Sequence, residues 1–553
     1  MVKIMLFLHI QQQTTIPMNM KKLSLMLLAI FLLAGISAAQ TQWIPVNPDD
    51  ENSLESCTSI MVGKKASTDG SVMTAHTCDS NYRTWVEMTA RKSFKPGDTE
   101  PVYWGTLHNE EPWDTRNVVE KGRIPAVEET FAYLNTAYPC LNEKQLAIGE
   151  TTITGRDVLV NKNGLFLIEE LERIALQRCS TARDAIKLIG KLVETYGYGD
   201  SGECITIADK KEVWQLELFG SGAGKPSAIW VAQRIPDDHV GISANIPRIS
   251  TVDFNNPEYF MYSSDIKERC KKLGLWDGKE EFKFWKINNG RKPFSIREFF
   301  VLNSVAPSLN LKYDSEELPF SVKPDKKISV RDVMAFYRET YEGTEWDQTK
   351  NLVAEVSRRD SKGNEYKDTI KPVSNFMSNE MRALLNTIKP GATERVRGIA
   401  VIQCSYSHII QLRDWLPDEV GGIAYFSFDN PAQSPRIPIY SGTISLPKSF
   451  SVCGQHRYRE DAAIWAYRET NRIATINWDK TRGILEPEIA RFEEEMFRSA
   501  PAAEKLAEEL IKSGKVKEAR ELLTKRTNDF ALSTMQSWKD MKAQLWSVFA
   551  RAM

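Results

Sequence analysis

The chain has 553 residues, of which 42% are hydrophobic and 26% charged, with a formal net charge of −1. Such a balance describes a globular protein with ample core and gives no electrostatic reason to expect nucleic acid or an anionic membrane as partner. Eight scattered cysteines without a C-x-x-C pair leave room for one or two disulfides in an oxidising compartment, but not for a disulfide scaffold.

Met20-Lys21-Lys22 is a charged n-region, and Leu23 to Ile36 is an apolar run followed by the small residues Ser37-Ala38-Ala39. At roughly 14 residues the run is too short to span a bilayer comfortably, so residues 1–39 are expected to be a signal peptide, with 1–19 an extension ahead of an ordinary start. No cysteine at the cleavage point predicts no lipid anchor, and the mature protein is expected to be periplasmic or secreted. Residues 40–56 then form a short polar leader.

Thr58 to Val62 and Ser71 to His76 are predicted strands joined by the turn "GKKASTDG", with a third strand at Trp85 to Ala90. Pro112 to Ala126 looks irregular. Phe131 to Leu134 and Gln145 to Thr152 read as strands. The period then changes. Leu165, Ile168, Leu171, Ile174 and Ala175 recur at helical spacing, and "STARD" caps a second helix through Ala185, Ile186, Ile189 and Leu192. Strands return at Cys204 to Ala208, Val213 to Phe219, Ala228 to Arg234 and Val240 to Ala244. About 250–390 looks like an insertion of mixed character. Further strands are expected at Gly398 to Gln403, Ile409 to Leu412 and Ile423 to Phe428, and two amphipathic helices in 486–553. This order predicts an α+β fold, with sheets packed face to face and helices outside.

Cys57 begins the first apolar pattern, directly after the polar stretch "NPDDENSLES". A buried strand cysteine is the plain explanation. The short leader suggests another: if residues 40–56 are a propeptide, Cys57 becomes the first residue of the mature chain. Its α-amine, with a reference pKa of about 8, can then take the thiol proton, so one residue supplies nucleophile and base.

"CTSIMVGKKASTDGSVMTAHTCDS" resembles the start of the N-terminal-nucleophile cysteine dipeptidases, the dipeptidase A and secernin group, which are relatives of the choloylglycine and penicillin V acylases. The likeness continues through "CLNEKQLAIGETT", "YGYGDSGECITIADKKEVWQLELFG", "WVAQRIPDDHVGISANIPRI" and "FSVCGQHRYREDAAIWAYRETNR", so it covers most of the chain from Cys57 to about Glu488. The resemblance implies a four-layer αββα sandwich, expected over 57–485, and the helical stretch 486–553 reads as an extension beyond it. The resemblance also implies self-cleavage between Ser56 and Cys57.

By the same resemblance Cys57 is the nucleophile. Asp79 is the acid at the end of the second strand, where it would orient the α-amine or bind a substrate amine. His76 stands where the acylases carry arginine. Asn245 in "SANIP" is expected to donate to an oxyanion, a contribution on the order of 3 kcal/mol. Glu150 would add charge suited to a substrate ammonium, and Thr151 is a candidate second donor. Arg457 and Arg459 are candidates for the acylases' distant arginine.

Other signals fail. "GSGAGKP" lacks phosphate-loop spacing, and Cys453 with His456 reads as packing or a disulfide. No paired ligand spacing supports zinc, and no cofactor is expected. The expected activity is hydrolysis of unblocked dipeptides or short peptides. An acylase-type amide hydrolase and a non-catalytic binding protein are the alternatives. The C-terminal helices offer a face for homo-oligomerisation.

Overall fold

Along the strand Cys57–Val62 every residue is buried, and the side chains alternate between two interiors. Ile60 and Val62 join Phe299, Leu302 and Val333 in one apolar cluster. Met61 joins the cluster that fills the other side of the sheet. A strand buried on both faces belongs at the centre of a layered fold, and that is its place in the computed structural model, which describes residues 57–550 apart from 113 and 115. The expected signal peptide (1–39) and leader (40–56) lie outside the described residues.

The first sheet has seven antiparallel strands in the order Ser321–Val322, Val240–Ser243, Cys57–Val62, Val72–Asp79, Cys404–Leu412, Gly422–Phe428 and Ile437–Tyr440. The second has eight, in the order Phe260–Tyr262, Ala228–Ile235, Val213–Gly220, Gly202–Ala208, Ala147–Thr152, Leu141–Asn142, Tyr133–Asn135 and Glu87–Thr89. They meet face to face through small polar residues. Thr74 Oγ1 lies 2.5 Å from Thr206 Oγ1, Thr151 Oγ1 lies 2.7 Å from Ser243 Oγ, and Ser59 Oγ donates to the Glu150 carbonyl at 2.9 Å. Gly149 is required by this approach, because a Cβ there would sit 2.8 Å from Thr206 Oγ1 and 3.0 Å from the Ala75 carbonyl oxygen.

Helices cover both outer faces, completing the αββα sandwich. Ile168–Arg178 and Ala182–Tyr196 lie on the second sheet, and Thr181 caps the latter by accepting from the Asp184 N–H. Ile296–Val305 and Val330–Phe336, each opened by a capping box, lie on the first. The stretch 250–390 therefore supplies an outer layer of the sandwich. The C-terminal helices are Trp478–Lys512 and Val516–Phe549, separated at Gly514, whose φ of 78° suits a helix end. None of the helices among the described residues is long and apolar enough to cross a membrane.

Two local expectations fail. Gly398 to Gln403 is not a strand: the Ile399 and Ala400 N–H groups both donate to the Glu339 carbonyl at 3.0 Å, which holds the segment off the sheet edge. Conversely, the irregular-looking stretch contains the strand Val119–Pro125, paired with Thr99–Trp104. Its mostly exposed residues show no apolar alternation for a sequence reading to find.

Candidate active site

Cys57 sits where the first strand enters the sandwich, opposite Cys78 in register, and is fully buried. Its N–H donates to Asn245 Oδ1 at 2.9 Å, and its carbonyl accepts from Arg297 Nη1 at 2.6 Å. Asn245 follows the strand Val240–Ser243 with φ of 65°, a left-handed conformation that asparagine tolerates better than most residues. Its amide orientation is forced by its partners. Oδ1 faces two donors, the Cys57 N–H and Arg297 Nη2 (3.0 Å), while Nδ2 donates to the Thr152 carbonyl at 2.8 Å.

Nδ2 carries two N–H groups and gives one to Thr152, so the other is left for the oxyanion role expected of Asn245, while Oδ1 adds a second duty. Asn245 holds the Cys57 nitrogen. Asn245→Ala should lower kcat by about 10²–10³-fold through loss of positioning. Asn245→Asp keeps the acceptor oxygen and should retain more activity than the alanine variant, which steady-state kinetics would show. Equal loss in both would make oxyanion donation its main duty.

Arg297 was not singled out from the sequence. It lies within the stretch read as an insertion, 240 residues beyond Cys57. Ser295 and Glu298 form the capping box that places it in the first turn of its helix, and Glu298 Oε1 also accepts from the Ala244 N–H at 3.0 Å. Its guanidinium additionally reaches Thr58 Oγ1 at 3.1 Å and the Ala244 carbonyl at 3.0 Å. A planar five-donor group suits this gathering of acceptors from two strand ends. The S-x-x-E spacing of "SIRE" was the available signal. The two arginines that the resemblance suggests are each paired with carboxylates: Arg457 with Glu110, and Arg459 with Asp461 and Glu111.

Glu150 and His76 do meet Cys57. One ligand-capable atom from each of the three lies within 4.8 Å of the others, and all three residues are fully buried. Burial, then the Glu150 carboxyl, Cys78 and Asp79, push the Cys57 thiol well above its usual range, against a hydrogen bond from the Asp79 backbone N–H. The thiol thus needs a base at hand. Burial also raises Glu150, which is in hydrogen-bond contact with Glu203, Cys57 and Thr152. Burial brings His76 down to about 4, so its ring is neutral at physiological pH. Its Nδ1 has two contacts with Glu150, the carbonyl at 2.6 Å and the N–H at 3.3 Å, and the shorter one makes Nδ1 the protonated nitrogen.

Thr151 differs from expectation, whereas Asp79 keeps one oxygen, Oδ1, buried and without a hydrogen-bond partner. Asp79 Oδ2 accepts from Thr77 Oγ1 at 2.7 Å and from Arg397 Nη2 at 2.9 Å, so this carboxylate is already paired with a guanidinium. Strand alternation turns Thr151 away from Glu150, and its hydroxyl is engaged by Ser243, so its side chain is no second oxyanion donor. Tyr82 was also missed. Burial and the nearby Cys57 raise its hydroxyl, and its ring packs edge-on against Tyr138 at 5.3 Å, which gives the site an aromatic wall. Cys453 is a buried thiol that accepts from Thr84 Oγ1 at 3.7 Å, so its packing role holds.

The strand-initial cysteine, with its nitrogen held by an asparagine and its thiol beside a carboxyl, lies within residues 56–489, which the model of peptidase family C69 matches. The chain belongs to peptidase family C69. The family region opens one residue ahead of Cys57 and takes in Glu150, Asn245 and Arg297. The C69 chain is 28% identical over 426 residues to a probable dipeptidase of Latilactobacillus sakei, covering 72% of this chain and 77% of that protein. It is 26% identical over 451 residues to a probable dipeptidase B of Lactococcus lactis subsp. lactis, covering 77% and 82%. Dipeptidase A of Lactobacillus helveticus is 23% identical over 438 residues, covering 76% and 82%.

Proposed function

We propose that this protein is an exported cysteine dipeptidase in which Cys57, freed by cleavage after Ser56, attacks the peptide carbonyl while its own α-amine serves as base. The observation that carries this reading is the contact between the Cys57 thiol and the Glu150 carboxyl. In a dipeptide the α-nitrogen lies two bonds from the scissile carbonyl carbon, about 2.5 Å away. That carbon sits about 3–3.5 Å from the attacking sulfur in a reactive pose. A carboxylate touching the thiol is therefore within reach of the substrate's ammonium, and it selects substrates cut at their first bond. The names of the relatives agree with that choice. The apolar run over Leu23 to Ile36 with its small-residue end supports export.

Asn245 and Arg297 support the processing step. They hold the nitrogen and the carbonyl of Cys57 as one linked pair, which fixes the backbone that would carry the α-amine of the cleaved chain. N-terminal sequencing and intact mass of the active protein should show a chain that begins at Cys57. A fully active protein that still carries residues 40–56 would defeat the one-residue mechanism.

A further inference from the structure

Three strands bring together a thiol, an imidazole and a carboxyl that no short motif connects: Cys57 on Cys57–Val62, His76 on Val72–Asp79 and Glu150 on Ala147–Thr152. In a tetrahedral zinc site with bonds of about 2.0–2.3 Å, neighbouring ligand atoms are about 3.3–3.8 Å apart. Ligand atoms already within 4.8 Å of one another need to close by about 1 Å or so. His76 Nε2 and Glu150 Oε2 are both buried and lack a hydrogen-bond partner. The Nδ1–H bond to the Glu150 carbonyl fixes the ring and leaves Nε2 as the nitrogen with the lone pair, an arrangement common behind metal-binding histidines.

We propose that the processed protein holds a thiophilic divalent cation, of the zinc type, on Cys57 Sγ, His76 and Glu150, and that this ion reversibly silences the peptidase by occupying its nucleophile. The proposal rests on the reading of Cys57 as nucleophile. The mixed sulfur, nitrogen and oxygen set suits zinc or cobalt and is wrong for magnesium or calcium. Binding is a simple exchange: the Cys57 S–H bond breaks, its proton goes to solvent, and a sulfur–metal bond forms without any change of oxidation state. The freed α-amine of Cys57 adds a fourth donor, closing a five-membered chelate with the same sulfur. The cation's charge also offsets the crowding of Glu150 by Glu203, whose Oε1 is buried without a partner.

The test uses the processed protein, stripped with EDTA, desalted and titrated with Co²⁺ and with Zn²⁺ while unblocked dipeptide hydrolysis is followed. One equivalent of Co²⁺ should bind with an intense thiolate-to-metal absorption band. Zn²⁺ should abolish turnover in step with occupancy, and EDTA should restore it. His76→Gln and, independently, Glu150→Gln should each weaken Co²⁺ binding more than about 10-fold, the lower bound for losing even an outer-shell partner. A band and variant dependence in a protein without dipeptidase activity would uphold the site while defeating the functional reading. Absence of the band, equal affinity in both variants, or loss of turnover on chelation would overturn the proposal.

Discussion

N-acetylation of a good dipeptide substrate should lower kcat/KM by about 10⁴-fold, because a buried carboxyl built for a substrate ammonium loses its charged partner when the amine becomes a neutral, bulkier amide. The acceptor is Glu150, fully buried and against the Cys57 thiol, while Asp79 is already engaged by Arg397. Acetylation removes the cation and leaves that carboxyl facing an amide. Paired substrates with free and acetylated amines, assayed by release of the C-terminal amino acid, give the ratio directly. In Glu150→Gln the ratio should shrink sharply, because the free-amine substrate loses its partner. Faster cleavage of acetylated substrates than of free ones would favour an acylase.

Cys57→Ala should reduce turnover by about 10⁴–10⁶-fold, the range seen when a nucleophile is removed from an otherwise intact site. The chain should also keep residues 40–56, since the group that would cut ahead of itself is gone. Alanine removes only a sulfur from a buried strand position, so circular dichroism and the urea midpoint should show a folded protein. Wild-type turnover in the alanine variant would leave Cys57 as a packing residue. Stabilisation by dipeptides without turnover in the wild type would support the binding-protein alternative.

The layered fold was readable because its central strands carry the pattern that layers demand. Thr58 to Val62 and Val213 to Phe219 are short apolar runs bounded by turn residues, and "STARD" announces a helix with a cap that the structure confirms in Thr181. Cys57 was readable because its strand starts with it. Asn245 was visible as a position but not as an orientation, since only the donors around Oδ1 decide which end of the amide faces Cys57. Arg297 and the Arg397 partner of Asp79 were hidden for a different reason. Each acts across a separation, 240 and 318 residues, over which no local periodicity carries information. Glu203 reaches the site through the register that sets it opposite Thr152, and pairing register cannot be read from one strand alone.

The grip of Arg297 on the Cys57 carbonyl has a temporal meaning. The strand that bears Cys57 is made early, but the helix that clamps it is 240 residues later, and Asn245 is 188 residues later. Contacts this remote close slowly and only after the intervening chain is in place. If the chain cleaves itself ahead of Cys57, as proposed, it cannot arm itself while still emerging or half assembled, because the groups that hold Cys57 are parts not yet delivered. Such a maturation would act as a checkpoint on folding: a molecule that had shed its leader would certify that its two sheets and the helical layer beneath the first have come together.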